Sequence, residues 1–360
     1  MTDLDRSPPS LPRAAVLTGL RALADARLPE IADRIAALYA PDAAWRGSHP
    51  LDEMRGIEAV AARVWGPLKA AMPDLERRDE IFVGGSYEGR DYLAAVGHYC
   101  GTFRDDWLTI PATGKTVFLR YGEVHEVQEG RIVRSNCLWD VVDLMRQAGF
   151  AVFPPSLGQE GRWPGPLGGG GIALEPLDAA QGAESLAQTL AMHATLHAHA
   201  DISGRAGLLA MPQRDHWHPK MMWYGPSGIG MTRGLAGFVD GHQLAFRAAF
   251  PRPATGTDAA EVAAARAAMG GGHYIRIGDG PFSVTGGWPS RVDRHAGPGL
   301  FGLPATGRIV GMRVMDFYFH DEGLIRENWV PLDLLDLLRQ LGTDPMARMR
   351  ALFRPGAATQ

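Results

Sequence analysis

Acidic and imidazole side chains on strand-like segments are the first groups in this sequence that point to chemistry. Over 117–127 (VFLRYGEVHEV) a period of two puts Val117, Leu119, Tyr121, Glu123 and His125 on one face, and Phe118, Arg120, Val124 and Glu126 on the other. Residues 310–318 present Val310, Met312, Val314, Asp316 and Tyr318 in the same arrangement. A carboxyl recurring in a mainly apolar row suits a general base whose pKa is raised by burial; an acid paired with a nearby arginine at a sheet rim is the plainer alternative. Carbon-acid chemistry run by side chains needs such a group to move a proton, donors to hold an enolate, and a pocket dry enough to strengthen both. His98, beside Tyr99 on a strand, and His49 in WRGSHP are further candidates for proton transfer or substrate contact, with a structural role as the alternative for each. Arg120 and Arg313 are candidates for holding an anionic group, and equally for a packing ion pair.

Other chemistries fit less well. His193 and His197 have HxxxH spacing, but Ala194 stands where a zinc protease carries Glu, so a surface or packing face of a helix is the expected role. His216 and His218, with Asp215, are joined by no further ligand at a suitable spacing, so no metal and no cofactor is expected. Cys100 and Cys137 are the only cysteines and form no CxxC pair, which leaves free thiols as the default. The three lysines are Lys69, Lys115 and Lys220; the first two align with arginines in the repeat described next, which argues against a Schiff-base nucleophile. GPLGGGG lacks the strand–helix setting and the Lys-Ser/Thr of a phosphate loop.

The elements that must position these residues occur twice. Residues 110–149 lie over 303–342 without a gap, and both contain PATG, an Arg (120 and 313), Glu-Gly (129–130 and 322–323) and an Asp (140 and 333). A second block repeats at a spacing of 178: Pro41, Trp45, Gly47 and Arg55-Gly56 match Pro219, Trp223, Gly225 and Arg233-Gly234, and LKAAMP matches FRAAFP. The longer spacing of the later block is an insertion in the second copy, placed at 254–272 and read as a loop or short helix. His49 and His98 align with Ser227 and Gly287, so they belong to one copy only; His273, Tyr274 and Trp288 are particular to the other. Within a copy the order is helices first (13–40 as two short helices, then 56–72), then antiparallel strands from IFVGG to RIVRSNCLW, then a closing helix. The chain reads as a first domain over 1–155, a Gly/Pro-rich linker over 156–176, and a second domain over 177–360.

AMPDL (71–75), PATG, a long strand with Glu123, EGRI and a terminal D-x-x-x-L-x-x-Q-x-G together resemble the SnoaL-like polyketide cyclases of the nuclear transport factor 2 superfamily. The second copy retains I-x-E-x-W-x-x-x-D as Ile325, Glu327, Trp329 and Asp333, where the first has Arg134 and Asn136 for the Glu and Trp. The resemblance implies an α+β fold of two tandem cone-shaped barrels, each a curved antiparallel sheet wrapped around N-terminal helices, with an apolar pocket at the open end. It also implies an acid/base role for Asp140 and Asp333, for which an N-cap is the structural alternative. Dimers in that superfamily pack sheet against sheet, and a tandem chain can make this contact internally as a pseudo-dimer, with a homo-oligomer as a further step. Trp45 and Trp223, repeated in WxG near the expected mouth, are candidates for stacking on a ligand, and Tyr121, Asn136, His273, Trp288, Tyr318 and Trp329 join them as candidate binding residues.

Composition sets the remaining expectations. Hydrophobic residues at 46% and charged residues at 21% describe a folded chain, and Lys+Arg at 36 against Asp+Glu at 40 provides no bulk attraction to nucleic acid or an anionic membrane. No run of 18 apolar residues occurs and the opening MTDLDRSPPS is unlike a signal peptide, so a cytoplasmic location is expected. The expected function is a cofactor-independent enzyme acting on a hydrophobic carbonyl- or phenol-bearing small molecule by proton abstraction: aldol or retro-aldol cleavage, cyclisation, isomerisation or dehydration. Glu123, His98 or Asp140 would move the proton in the first copy, Asp316 or Asp333 in the second. The alternative is a non-catalytic module that binds a hydrophobic ligand or docks a protein, which predicts pockets without a buried acid.

Overall fold

The computed structural model describes residues 12–252 and 256–353. Helix α1 (Arg13–Asp25) buries Val16, Leu20 and Leu23, an i, i+4, i+7 stripe. Helix α2 (Ile31–Leu38) ends where Tyr39 takes extended backbone, so the helical pattern read through residue 40 gives way to a strand, β1 (Tyr39–Gly47), followed by the short β2 (Glu53–Arg55). The expected third helix is α3 (Ile57–Val60), a π turn (Ala61–Trp65) and α4 (Gly66–Ala71) in succession. Strands β3 (Glu76–Tyr87), β4 (Arg90–Thr102), β5 (Thr116–Gln128) and β6 (Arg131–Trp139) follow, closed by α5 (Val141–Gln147). The turn between β5 and β6 places Glu129 and Gly130 at φ 50° and 76°, the twist that a two-residue hairpin requires.

The second unit repeats this order. Helices α6 (Ala179–Ala198) and α7 (Arg205–Ala210) precede β7 (Trp217–Tyr224) and β8 (Met231–Arg233). Helix α8 (Gly234–Phe238), a π turn (Val239–Gln243) and α9 (Leu244–Ala249) come next, the π turn falling 178 residues after its counterpart. The insertion carries a helix, α10 (Thr257–Ala268); its residues 254 and 255 lie outside the described residues. Strands β9 (His273–Asp279), β10 (Phe282–Arg294), β11 (Ile309–Asp321) and β12 (Leu324–Trp329) are followed by α11 (Leu334–Gln340) and α12 (Pro345–Phe353).

Each unit has one six-stranded sheet, in the orders β2-β1-β6-β5-β4-β3 and β8-β7-β12-β11-β10-β9. The sheets correct the antiparallel barrel expected from the sequence in two respects. They are mixed, because β1 runs parallel to β6 (Trp45 opposite Ser135) and β7 parallel to β12 (Trp223 opposite Asn328), and they are open, the first and last strands of each sheet not pairing to close a barrel. The helices cover one face of each sheet. The other faces meet: Ile81, Val83, Ala94, Val96, Val124 and Leu138 pack with Ile275, Ile277, Val284, Met315, Phe317 and Trp329. A buried ion pair, Arg13 Nη1 to Asp279 Oδ2 at 2.6 Å, crosses this contact, and the Gly84 N–H donates to the same carboxylate at 3.0 Å.

The Gly/Pro-rich stretch is an ordered strap. Gln159 pairs with Met231 and Ile172 with Phe82 as isolated bridges, and Trp163 is buried between the units. Among the described residues no helix is long and apolar enough to cross a membrane.

Candidate functional site

In the first unit the concave side of the sheet is filled. Glu123, 1% exposed, accepts from Arg77 Nη1 at 2.6 Å, Tyr99 Oη at 2.9 Å and Trp139 Nε1 at 2.8 Å. Arg77 also donates to Asp79 at 2.7 Å and lies 4.4 Å over the Tyr121 ring, while Tyr121 Oη donates to Asp79. Burial raises the pKa of Glu123, but the Arg77 charge and the converging donors overcome this and hold it well below the usual carboxylate range. Trp45, Trp65, Tyr99 and Trp107 close around Trp139 with centroids 5.4–6.2 Å apart. Glu123, Tyr121 and Trp45 are all buried in this packing.

The same place in the second unit is hollow. Strand register confirms the equivalence, since His125 lies opposite Ser135 and Tyr318 opposite Asn328. By that register and the repeat spacing, Tyr121 becomes Val314, Trp139 becomes Leu332 and Trp65 becomes Gln243. Loss of three large rings from one core opens a cavity of about 610 Å³, with Val314, Leu332 and Gln243 in its wall. Met192, Trp217, Trp223, Phe238 and Phe246 supply further apolar surface.

Asp316 faces this cavity and, unlike Glu123, has no ion pair among the described residues. Burial pushes its pKa up to about 6 against the hydrogen bonds of Asn328 and Tyr318, the Asn328 Nδ2 lying 3.4 Å from Oδ1. Tyr318 Oη lies 2.9 Å from His193 Nε2, and burial beside Asp316 drives the phenol well above its ordinary value, so it stays protonated. His193 and His273 have ring centroids 5.5 Å apart. Burial, followed by the nearby His273 and Arg276, lowers His193 to about 3; burial, followed by Arg276 and Arg266, lowers His273 to about 4. His242 stacks on Trp223 at 4.3 Å and is lowered to about 3, by burial first and Arg291 second. All three imidazoles are therefore neutral donors or acceptors near pH 7.

Of the residues singled out by sequence, Asp316, Tyr318, Trp223 and His273 meet in the cavity. The others lie elsewhere, for identifiable reasons. Asp140 caps α5, accepting from Asp143 N at 2.9 Å, pairs with Arg120 at 2.8 Å and accepts the Ser227 N–H of the second unit at 2.9 Å. Asp333 mirrors it: it caps α11, pairs with Arg313 at 3.0 Å and accepts the His49 N–H at 3.0 Å. Both aspartates thus belong to the contact between units, where burial raises each to about 6. His49 contacts Asp52 at 3.0 Å in that contact. His98 lies under the strap, accepting from Trp163 N at 3.3 Å, and burial lowers it to about 3. The register places Gly287 opposite Val314 as Gly97 lies opposite Tyr121, one residue from the expected match with His98. Asn136 is buried on the outer face; Trp329 donates to Pro164 O at 3.0 Å there, and Trp288 lies under Arg313 at 4.9 Å.

Sequence reasoning passed over His193, assigned to a packing face, and His242, whose signal is legible: Val64 becomes His242 at the repeat spacing of 178, a polar group in an apolar position. The arginines that ring the cavity gave no pattern in the sequence.

Residues 16–148 match the sequence model of the SnoaL-like polyketide cyclases. No curated protein matches the chain. Among solved structures, a candidate SnoaL-like polyketide cyclase from Jannaschia sp. CCS1 is 19% identical, covers 42% of this chain and 100% of its own, and has a TM-score of 0.32. IdmH, a candidate polyketide cyclase from Streptomyces antibioticus, is 21% identical over 38% of this chain and 98% of its own, with a TM-score of 0.32. TsrD from Streptomyces laurentii is 19% identical over 41% and 98%, also at 0.32. Residues 16–148 are thus similar to the SnoaL-like polyketide cyclases, and the second unit repeats the strand order of the first.

Proposed function

We propose that the second unit is an acid/base site for a small carbonyl compound with an apolar body, and that the first unit supports it without reacting. The observation that carries this reading is the contrast between two equivalent carboxyls: Glu123 locked by Arg77, Tyr99 and Trp139, and Asp316 on a cavity wall with no cation paired to it among the described residues. With a pKa of about 6, Asp316 is mostly ionised at pH 7 yet basic enough to take a proton.

The Asp316 carboxylate removes a proton from the carbon next to the carbonyl. The electron pair moves to the carbonyl oxygen, and Tyr318 donates its phenolic proton as a hydrogen bond to the resulting enolate. His193, with its proton on Nε2, donates to Tyr318 Oη and so aims the phenol at the substrate. The carboxylic acid then returns the proton, to a second carbon in an isomerisation, to a departing hydroxyl in a dehydration, or to the alkoxide formed when the enolate carbon attacks a second carbonyl in a cyclisation. The binding-module alternative expects a cavity without a buried acid, and Asp316 in the wall weighs against it. The sheet-to-sheet contact serves, in this reading, as the internal counterpart of a homodimer, with Asp140 fixing the Ser227 end of the loop that borders the cavity.

The test is deuterium incorporation at the acidic carbon of 2-tetralone in D2O, followed by proton NMR. Wild-type protein accelerates the exchange, Asp316→Asn lowers the acceleration by roughly 100-fold or more, and Glu123→Gln retains it. An Asp316→Asn protein as fast as wild type overturns the assignment.

A further inference from the structure

Five guanidiniums line the same cavity: Arg247, Arg252, Arg266, Arg276 and Arg291. Their charges are poorly matched by protein. Arg252 and Arg291 share one carboxylate, Asp293, with Arg252 Nε at 2.6 Å. Arg247 donates to the carbonyls of His199 and Ile202 and has Asp201 nearby, while Arg266 reaches, among the described residues, only the Gly271 carbonyl at 3.4 Å. Arg276 forms no ion pair or hydrogen bond among the described residues, and its Nε is shut off from solvent. Its two Nη groups are not shut off and have no partner among the described residues, so they are the donors a ligand can meet.

Position gives this excess charge a direction. Thr285 lies opposite Arg276 on one side and opposite Asp316 on the other, so the three side chains share one face in a row across β9, β10 and β11. Arg276 and Asp316 are two strand spacings apart, about 10 Å between backbones. His193 and His273 are close enough to Arg276 to feel its charge. A molecule whose reacting carbon sits at Asp316 and Tyr318 therefore has a cationic, hydrogen-bonding end of the cavity within reach of its far side.

We propose that the ligand of this cavity is a keto acid: an apolar body, a carbonyl addressed by Asp316 and Tyr318, and a carboxylate several bonds away that is bound by Arg276. A guanidinium whose two Nη groups have no partner takes a carboxylate in a bidentate pair. This inference rests on the acid/base reading for the placement of the carbonyl, but not for the binding of the carboxylate.

Titration calorimetry with 4-(2-naphthyl)-4-oxobutanoate and its methyl ester separates the two. Wild-type protein is expected to bind the acid at least tenfold more tightly than the ester, with the acid's affinity falling as salt is raised and the ester's unchanged. Arg276→Gln removes the preference, Arg276→Lys restores part of it, and Asp316→Asn keeps it. Circular dichroism confirms that the variants fold, as expected for a side chain that makes no hydrogen bond. An ester bound as tightly as the acid, an acid that does not bind, or a preference that survives Arg276→Gln overturns the proposal. A preference intact in a protein that does not exchange α-protons strikes the acid/base reading alone.

Discussion

Replacing Asp316 by Asn should slow proton transfer by roughly 100-fold or more and at the same time make the protein more stable, and the size of the second effect follows from its surroundings. Burial with only neutral hydrogen-bond partners holds Asp316 near 6 in the fold, against about 4 for an aspartate in an unfolded chain. The folded state therefore binds the proton more tightly, and ionising the group costs stability. At pH 7.5 the two-unit difference, at 1.36 kcal/mol per unit, corresponds to about 3 kcal/mol, an upper bound because the carboxyl borders a cavity that admits water. As pH falls through 6 towards 4 the penalty is relieved: about 1.5 kcal/mol is left at pH 5 and none well below 4. Asparagine has the same shape and never ionises. Urea denaturation of wild type and Asp316→Asn at pH 7.5 and pH 5 should show the variant more stable by about 2–3 kcal/mol at the higher pH and by about half as much at the lower. The buried histidines titrate alike in both proteins and cancel in the difference. A variant less stable than wild type, or an advantage independent of pH, refutes the reasoning, because either result means that the Asp316 carboxylate is compensated in the fold.

Three further outcomes follow from the same geometry. Glu123→Gln should cost about 3 kcal/mol in denaturation, since it removes one partner of a buried pair while Asp79 still faces Arg77, and should leave turnover in the other unit unchanged. Tyr318→Phe removes a hydrogen bond that favours the ionised form of Asp316, so the acid limb of the rate profile, set near pH 6 in wild type, should move to higher pH in NMR exchange measurements. Asp140→Ala should lose an N-cap worth about 1 kcal/mol and release the Ser227 N–H, which raises KM several-fold in steady-state kinetics without moving the acid limb.

Much of the fold was legible because the chain states it twice. The repeat aligned β5 with β11 and thereby placed Glu123 opposite Asp316 in role, and the alternation along each strand gave the inward faces correctly. Strand β1 escaped because Tyr39–Gly47 continues directly from α2 and contains Pro41, which disturbs the β1–β6 register between Tyr39 and Ala44; no turn signal separates helix from strand. The site was harder to see. Whether an inward acid faces a cavity or a packed core depends on what stands across from it, and that information lay in residues such as Val314 and Leu332, which carry no chemistry. Trp45 was read as a ligand contact where it is instead, with Trp139, part of the filling of a core. Asp140 and Asp333 kept their places in both copies for a reason that one copy alone cannot reveal: each caps its own helix and holds a backbone N–H of the other unit.

That reciprocity bears on why a hollow unit is joined to a filled one. A dry void of about 610 Å³, at about 24 cal/mol per Å³, would cost about 15 kcal/mol, which matches or exceeds the whole stability of an ordinary domain. Water or a ligand in the cavity lowers this figure, but the lost ring contacts and the charges of Asp316 and the arginines still leave the second unit poorly supplied with stabilising interactions. The first unit has the opposite balance, with its rings packed around a fully satisfied Glu123. Their sheets bury a continuous apolar face, and the Arg13–Asp279 pair links α1 of one to β9 of the other. Stability generated by the filled copy is thereby available to the copy whose core is partly hollow, where Asp316 has no paired cation among the described residues.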